Sequence, residues 1–239
     1  MKYLFLMSVL LCAMPLNAQQ LTGPELLEQA IAYHDPNGSW PTFIANFEVT
    51  MTSPGRSDRV SQLDINLPGE SFELIAVRDS LLTEYRISPN DASVVKINLK
   101  SPDSSIQITD QDRKRIFLMR DYYTYLYGLP MKLKDPGTQI TEKVVRRSFK
   151  GKSYDVLEVS YEKEVGSDLW YFYFDPKSHR MEIYQFFKRD QDGQPIPDSG
   201  EYILLSEESK IGGINMPKIR KWYYNKNDAF LGTDSITRE

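Results

Sequence analysis

The pattern of apolar and polar residues changes its period along the chain and separates a first helix, a block of strands, a second helix and further strands. Thr22-Gly23-Pro24-Glu25 has the sequence of a capping box with an early proline, which favours a helix start. Apolar residues follow at helical spacing, and Asp35-Pro36-Asn37-Gly38 is typical of a helix end. The pattern therefore predicts a short amphipathic helix that docks on another element.

From Trp40 onward, apolar positions alternate with polar ones, as in an antiparallel strand with one buried face. The predicted strands are Phe43–Met51, Leu63–Leu67, Phe72–Val77, Leu81–Ile87, Val94–Leu99, Ile140–Phe149, Tyr154–Tyr161, Leu169–Phe174, Met181–Phe187, Tyr202–Ser206 and Lys218–Tyr224. Because short strands joined by tight turns suit sequential pairing, we expect an antiparallel meander in a mainly β fold with some α-helix.

The helical pattern returns in the middle of the chain, where Asp110–Leu126 contains neither proline nor glycine. Placed at 100° per residue, eight apolar and aromatic side chains cover an arc of about 200°: Ile116, Leu118, Met119, Tyr122, Tyr123, Tyr125, Leu126 and Tyr127. A surface helix needs an arc little more than half as wide. We therefore expect this middle helix to touch protein or ligand on more than one flank.

The first residues are typical of a secretory signal: Met1-Lys2 precedes an apolar run of nine residues, and Ala18 suits the position before a cleavage point. The run is too short to span a bilayer. We predict that residues 1–18 are a signal peptide, and that residues 19–239 form a single β-rich domain exported to the periplasm or cell envelope. We expect a monomer without a transmembrane segment. The single cysteine, Cys12, follows Leu11 rather than a small residue, which argues against a lipid anchor.

Charge and composition narrow the function further. Removing Lys2 with the signal changes the formal net charge from −4 to about −5, which argues against nucleic acid and anionic membrane surfaces as main partners. His34, expected to end the first helix, and His179, expected in a hairpin turn, have no partners at metal-ligand spacing. The sequence also lacks a nucleophile elbow and a glycine-rich phosphate loop. We predict no metal site, no cofactor and no enzymatic activity.

Aromatic residues are the feature that remains to be explained, since 12% of the chain is aromatic. Large side chains occupy both faces of the strand Leu169–Phe174, and further aromatic residues cluster in Tyr184–Phe187 and Trp222–Tyr224. Both faces of the sheet are therefore expected to be covered. One explanation is helix packing on one face and strand curvature on the other; the second is a hydrophobic cavity between the sheet and the middle helix.

These explanations correspond to two functions. In the first, a periplasmic or envelope protein binds a lipid, acyl chain or other apolar ligand in the cavity. In the second, an interaction or scaffold module with a solid core binds an envelope protein. An enclosed void beside Phe117, Tyr122 and Trp170 favours the first, and ordinary packing there favours the second. The residues predicted to line the cavity are Phe47, Tyr85, Phe117, Met119, Tyr122, Tyr125, Trp170, Phe172 and Tyr184.

Several motifs resemble a family of exported bacterial proteins of uncharacterised function, over nearly the whole mature chain. They are Asp121–Gly137 (DYYTYLYGLPMKLKDPG), Trp170–Lys177 (WYFYFDPK), Tyr184–Phe187 (YQFF), Gly200–Leu205 (GEYILL) and Trp222–Lys226 (WYYNK). The resemblance implies no activity.

The order of elements is also similar to the envelope lipoprotein carrier and receptor fold (Lol-type), with Tyr171–Ile183 resembling one of its hairpins. This second resemblance implies a strongly curved antiparallel sheet or incomplete barrel. The N-terminal and middle helices would cover the sheet around a hydrophobic cavity for acyl chains. It identifies no functional residue by position.

Overall fold

The fold is mainly β, with two α-helices packed on a large curved antiparallel sheet. The structure, a computed structural model, describes residues 21–239. The predicted signal peptide, residues 1–18, lies outside the described residues.

Within residues 21–239, thirteen strands form one open sheet. They are β1 Ile44–Ser53, β2 Arg56–Asn66, β3 Ser71–Arg78, β4 Leu81–Ser88, β5 Asp91–Asn98, β6 Thr138–Ile140, β7 Val145–Phe149, β8 Lys152–Tyr161, β9 Leu169–Phe174, β10 Met181–Phe187, β11 Glu201–Ile211, β12 Ile214–Tyr224 and β13 Phe230–Arg238. Their order in the sheet is β5-β4-β3-β2-β1-β13-β12-β11-β10-β9-β8-β6, and β7 also pairs with β8. The predicted curved, incomplete antiparallel architecture is therefore confirmed.

The sheet consists of two meanders that the last strand joins. Strand β1 pairs with β2 on one side and with β13 on the other, so the end of the chain lies beside its first strand. Strand β13 was not predicted from the sequence. The inward positions of this strand are Gly232, Asp234 and Ile236, and only the last of these is a large apolar residue. The alternation that marks the other strands is therefore hidden in β13.

One predicted strand is wrong in its continuity. Ile140–Phe149 is divided into β6 and β7, which pair with different ends of β8. Between them the chain turns to the segment before the first helix, where the Gly23 N–H donates a hydrogen bond of 2.8 Å to the Glu142 carbonyl and Thr22 bridges to Lys143. This tertiary pairing interrupts the strand, and the local sequence carries no sign of it.

Both helices begin where their capping residues stand. Helix α1 is Gly23–His34 and helix α2 is Asp110–Gly128. The N-cap residues Thr22 and Thr109 each accept a hydrogen bond from the backbone three residues on, and a carboxylate at that third position bonds back to the cap. Each box satisfies donors that a helix start otherwise leaves unpaired. Both predicted helices are confirmed.

The two faces of the sheet are covered in different ways. Leu26 and Leu27 of α1 and Ile116 and Leu126 of α2 belong to one continuous hydrophobic core on the inner face. On the outer face a smaller cluster consists of Tyr154, Val156, Leu169, Tyr171, Tyr173 and Ile183, with Phe149, Phe187 and Leu204 packed against it. This second cluster explains the large side chains on both faces of β9, and it confirms that both faces are covered.

His34 ends α1 and joins it to the sheet. Its imidazole is buried, Nδ1 lies 2.6 Å from the Asn215 carbonyl, and Nε2 accepts a hydrogen bond of 3.0 Å from the Met181 N–H. A neutral ring that carries its hydrogen on Nδ1 satisfies both contacts. Burial lowers the pKa of His34 from its ordinary 6.5 to about 4.

This buried histidine should make stability depend on pH. Below pH 6.5 the unfolded chain binds a proton at His34 while the folded chain does not, so stability is full above that pH and falls toward pH 4. Between neutral pH and about pH 5, we expect the free energy of unfolding to fall by about 2 kcal/mol more than in the His34→Gln variant. Urea unfolding at both pH values measures this difference. An equal fall in both proteins would contradict the assignment.

Candidate functional site

An open groove of about 730 Å³ lies beside the second half of α2, over strands β8 to β12. Its apolar wall consists of Leu118, Tyr122, Tyr125, Tyr161, Val165, Trp170, Phe186 and Trp222. The helix supplies one side of this wall and the inner face of the sheet supplies the other. The groove is therefore formed where the flank of α2 does not lie flat on the sheet.

Trp170 is at the centre of the aromatic wall. Its ring stacks on Phe186 with centroids 4.8 Å apart, and Tyr125 meets it edge-on at 6.0 Å. Beneath it, Tyr184 lies 6.2 Å from both Trp170 and Trp222. Because each ring is held by at least one other, the wall is ordered before any ligand arrives.

Tyrosine hydroxyls give this apolar wall a polar component. The hydroxyls of Tyr125 and Tyr161 hydrogen-bond to each other across the groove. Burial raises the pKa of Tyr161 to about 12 and that of Tyr122 and Tyr125 well above the ordinary value. These phenols therefore remain neutral at physiological pH and can donate or accept hydrogen bonds.

The groove keeps its shape because polar contacts hold α2 to the sheet. Near the start of the helix, Lys96 Nζ of β5 lies 2.6 Å from Asp112 Oδ1, and this contact holds the pKa of Asp112 well below its usual range. Farther along, Arg59 of β2 donates a hydrogen bond of 2.9 Å to the Tyr123 hydroxyl. Both contacts lie on the side of the helix away from the groove.

Arg220 of β12 holds the other end of the helix. Its side chain is only 1% exposed; Nη2 donates to the Leu126 carbonyl at 3.3 Å, and Nη1 donates to the Pro217 carbonyl at 3.0 Å. The guanidinium also lies 4.1 Å from the centre of the Tyr127 ring. A cation suits this position because the last carbonyls of a helix carry partial negative charge.

Asp234 of β13 lies opposite Arg220 in the sheet register. Its Oδ2 accepts a hydrogen bond of 3.1 Å from the indole N–H of Trp222, one of the groove residues. Burial raises the pKa of Asp234, while the nearby Arg220 and Arg59 oppose this effect. A buried carboxylate thus fixes one tryptophan of the wall.

The rim of the groove is acidic. Asp121, Asp135, Glu164, Asp168 and Glu201 all line it. Lys132 is the only cation among the lining residues within 21–239, and it forms an ion pair with Asp135. Burial raises the pKa of both Glu201 and Asp168. The groove therefore combines apolar walls with a negatively charged rim.

The nine predicted cavity residues are divided among four environments. Tyr122, Tyr125 and Trp170 line the groove; Phe47, Tyr85, Phe172 and Tyr184 are buried in the core; Met119 is partly buried against that core, and Phe117 is 48% exposed outside the groove. The space beside Tyr122 and Trp170 is an open groove, not the enclosed void considered from the sequence. Contact between these nine residues and a ligand remains a prediction.

The sequence analysis did not select several lining residues, among them Phe186 and Trp222. Both belong to the aromatic motifs, and Phe186 is paired directly with Trp170 in the register of β9 and β10. Residues paired across neighbouring antiparallel strands share a face. Pairing the two predicted strands in this register would have identified Phe186.

A family model of unknown function, DUF6503, matches residues 1–239. The chain belongs to the DUF6503 family. None of the curated proteins matches this DUF6503 chain in sequence. The resemblance to a family without a known activity, stated from the sequence motifs, is thereby confirmed.

The DUF6503 chain is similar to two solved structures. A LolA superfamily protein from Nitrosomonas europaea matches with a TM-score of 0.49 and 12% identity, over 90% of this chain and 91% of that one. A DUF1329 family protein from Desulfovibrio piger matches with a TM-score of 0.47 and 9% identity, over 92% and 93%.

Two further observations concern residues 21–239. No three His, Cys, Asp or Glu side chains are grouped there so that they could hold a metal ion. Within the same residues, no helix combines the length and the apolar character that crossing a bilayer requires.

The attachment of α2 can be tested through Arg220 and Asp234. Replacing Arg220 with Met removes two hydrogen bonds and leaves the buried Asp234 carboxylate with Arg59 as its remaining nearby cation. We expect the free energy of unfolding to fall by about 2–3 kcal/mol. Adding Asp234→Asn should restore about 1 kcal/mol, and urea unfolding of both single variants and the double variant measures this coupling.

The exposed Arg56 provides a matched control. Arg56→Met should change the free energy of unfolding by less than about 0.5 kcal/mol. Additive effects of the Arg220 and Asp234 substitutions would show that the two residues are not coupled.

Proposed function

We propose that this DUF6503 protein is an exported, non-enzymatic binding protein that takes a lipid, acyl chain or other apolar ligand into the groove beside α2. The observation that carries this proposal is a preordered aromatic wall that remains open to solvent. The signal-like residues 1–18 support export to the periplasm or cell envelope. The mature protein is proposed to be a single domain and a monomer.

The size and composition of the groove support a ligand with an apolar body. Its volume of about 730 Å³ is within the range of roughly 300–1,000 Å³ that small-molecule sites occupy. Such sites combine apolar and aromatic walls with a few polar groups, as Trp170, Tyr122 and Tyr125 do here. A soluble protein has little reason to leave such a wall open to water unless something covers it.

The acidic rim restricts the charge of the polar group that a ligand can carry. Carboxylates such as Glu201 and Asp168 surround the groove and oppose an anionic group that enters it. A neutral polar group can instead hydrogen-bond to the carboxylates and phenols, and a cationic group is attracted to them. We therefore propose that the bound molecule has an apolar body and a neutral or cationic polar end.

The binding proposal is tested by native mass spectrometry of residues 19–239 purified from a bacterial periplasm, followed by organic extraction. We expect an additional mass that extraction releases. Tyr122→Asp and Val165→Asp should each lower its occupancy about tenfold, because each places a charge against the ligand.

Ile44→Asp is the matched control, since Ile44 is 59% exposed and Val165 is 55% exposed, but only Val165 lines the groove. Circular dichroism establishes that each variant is folded. A protein that remains free of ligand after incubation with lipid extract would contradict the proposal and favour the scaffold module.

The ligand's polar end is tested with dodecylamine, dodecanol and dodecanoate. Trp170 and Trp222 line the groove, so their fluorescence reports binding, and Trp40→Phe removes the only other tryptophan of the chain. We expect the amine and the alcohol to bind at least about tenfold more tightly than the carboxylate at neutral pH and low salt.

The charge preference should depend on the rim. In the double variant Asp168→Asn and Glu201→Gln, we expect the difference between amine and carboxylate to shrink. Equal or tighter binding of dodecanoate by the unmodified protein would contradict the proposed ligand chemistry, although not ligand binding itself.

A further inference from the structure

The first half of α2 carries an exposed surface that the core does not explain and that shares only Leu118 with the groove. Phe117 is 48% exposed and Leu118 is 58% exposed, although both are large apolar residues. Arg113, Lys114 and Arg115, in the turn before them, are exposed and form no ion pair with any residue of the described range 21–239. These five residues are called the basic–apolar face below.

The middle of the basic–apolar face points away from the sheet, and Arg113 and Arg115 lie on its two flanks. The helix packs on β3, β4 and β5, and its buried side chains include Asp112, Ile116 and Tyr123. At 100° per residue, Lys114 and Leu118 lie nearly opposite the mean direction of those three side chains. Substitutions on this face should therefore leave the packing of the helix intact.

The nearby acids do not neutralise this face. Asp112 is paired with Lys96, and Asp121 is paired with Arg120, whose guanidinium also lies 5.3 Å from the centre of the Phe117 ring. Asp110, at the first position of the helix, is the remaining exposed acid of this half of α2. The three free cations outnumber it, so the face has a local excess of positive charge.

The net charge of the whole chain does not determine how this face interacts with an anionic surface. The chain has a net charge of −4, but charges separated by more than about 10 Å are screened from each other at physiological salt. An approaching anionic surface would therefore respond to the three cations and not to acids on the far side of the sheet.

We propose that the basic–apolar face docks on an anionic lipid membrane. Cations on a helix attract anionic headgroups, and exposed aromatic and leucine side chains on that helix can enter the boundary between headgroups and acyl chains. A membrane fits better than a protein partner because apolar and cationic side chains alternate on one convex helix surface without a defined pocket. Leu118 also lines the groove, so the basic–apolar face ends at the edge of the groove.

The experiment is co-sedimentation of residues 19–239 with lipid vesicles. We expect binding to phosphatidylcholine vesicles that contain phosphatidylglycerol, much weaker binding to phosphatidylcholine alone, and weaker binding at high salt. Each cation near an anionic surface contributes about fivefold, so the triple variant Arg113→Gln, Lys114→Gln, Arg115→Gln should bind on the order of 100-fold more weakly. Phe117→Ser should weaken binding without removing its salt dependence.

The controls use residues of matched type elsewhere on the surface. Lys177, Lys210 and Lys226 are exposed, and changing all three to Gln alters the net charge by the same amount. Phe230, 43% exposed, is the control for Phe117. The proposal is overturned if the two triple variants bind vesicles equally, if both vesicle types bind equally, or if the face captures an envelope protein but no vesicles.

This proposal does not depend on ligand binding in the groove. Val165→Asp should leave vesicle binding unchanged, and the triple variant should retain any ligand that the protein carries. The failure of either proposal can therefore be distinguished from the failure of the other.

Discussion

The architecture depends on the antiparallel pairing of the last strand, β13, with the first, β1. This pairing joins two meanders into one sheet and so creates a single inner face on which both helices pack. It also brings Asp234 beside Arg220, whose side chain holds the C-terminal end of α2. Without β13, the sheet would have two additional edges. Trp222 in the groove would lose its hydrogen bond to Asp234, and α2 would lose its position above the groove.

Helix α2 has a dual role because its apolar arc is wider than one packed face can cover. The sector with Ile116 and Tyr123 completes the core. Tyr122 and Tyr125 lie on the flank that lines the groove, where Tyr125 meets Trp170 edge-on and the groove beside them stays open. Polar tethers from three strands hold the helix in this raised position. The groove is therefore a consequence of how the helix is attached, and it does not require a hole within the core itself.

Two surfaces of opposite charge meet near Leu118. The groove rim carries carboxylates such as Asp168 and Glu201, whereas the first half of α2 exposes Arg113 and Lys114. The nearly balanced composition of the chain conceals this separation, because formal net charge contains no information about position. A protein arranged in this way can be attracted to an anionic surface through one face while its groove excludes the anionic groups of that surface.

The sequence by itself determined the elements that depend on local rules. The capping box at Thr22 fixed the start of α1, and alternation fixed strands such as β1, because both signals lie within a few residues.

Tertiary structure decided the rest. Gly232 and Asp234 hide the pattern of β13, whose partner β1 is the first strand of the described residues. The start of α1 interrupts Ile140–Phe149. Local alternation also predicted that these aromatic residues face inward. Long-range register and the position of α2 decided that Trp170 lines the groove and that Phe172 and Tyr184 are buried beneath it. Local periodicity specifies which face a side chain occupies, whereas its position beneath or beside a helix depends on contacts between distant residues.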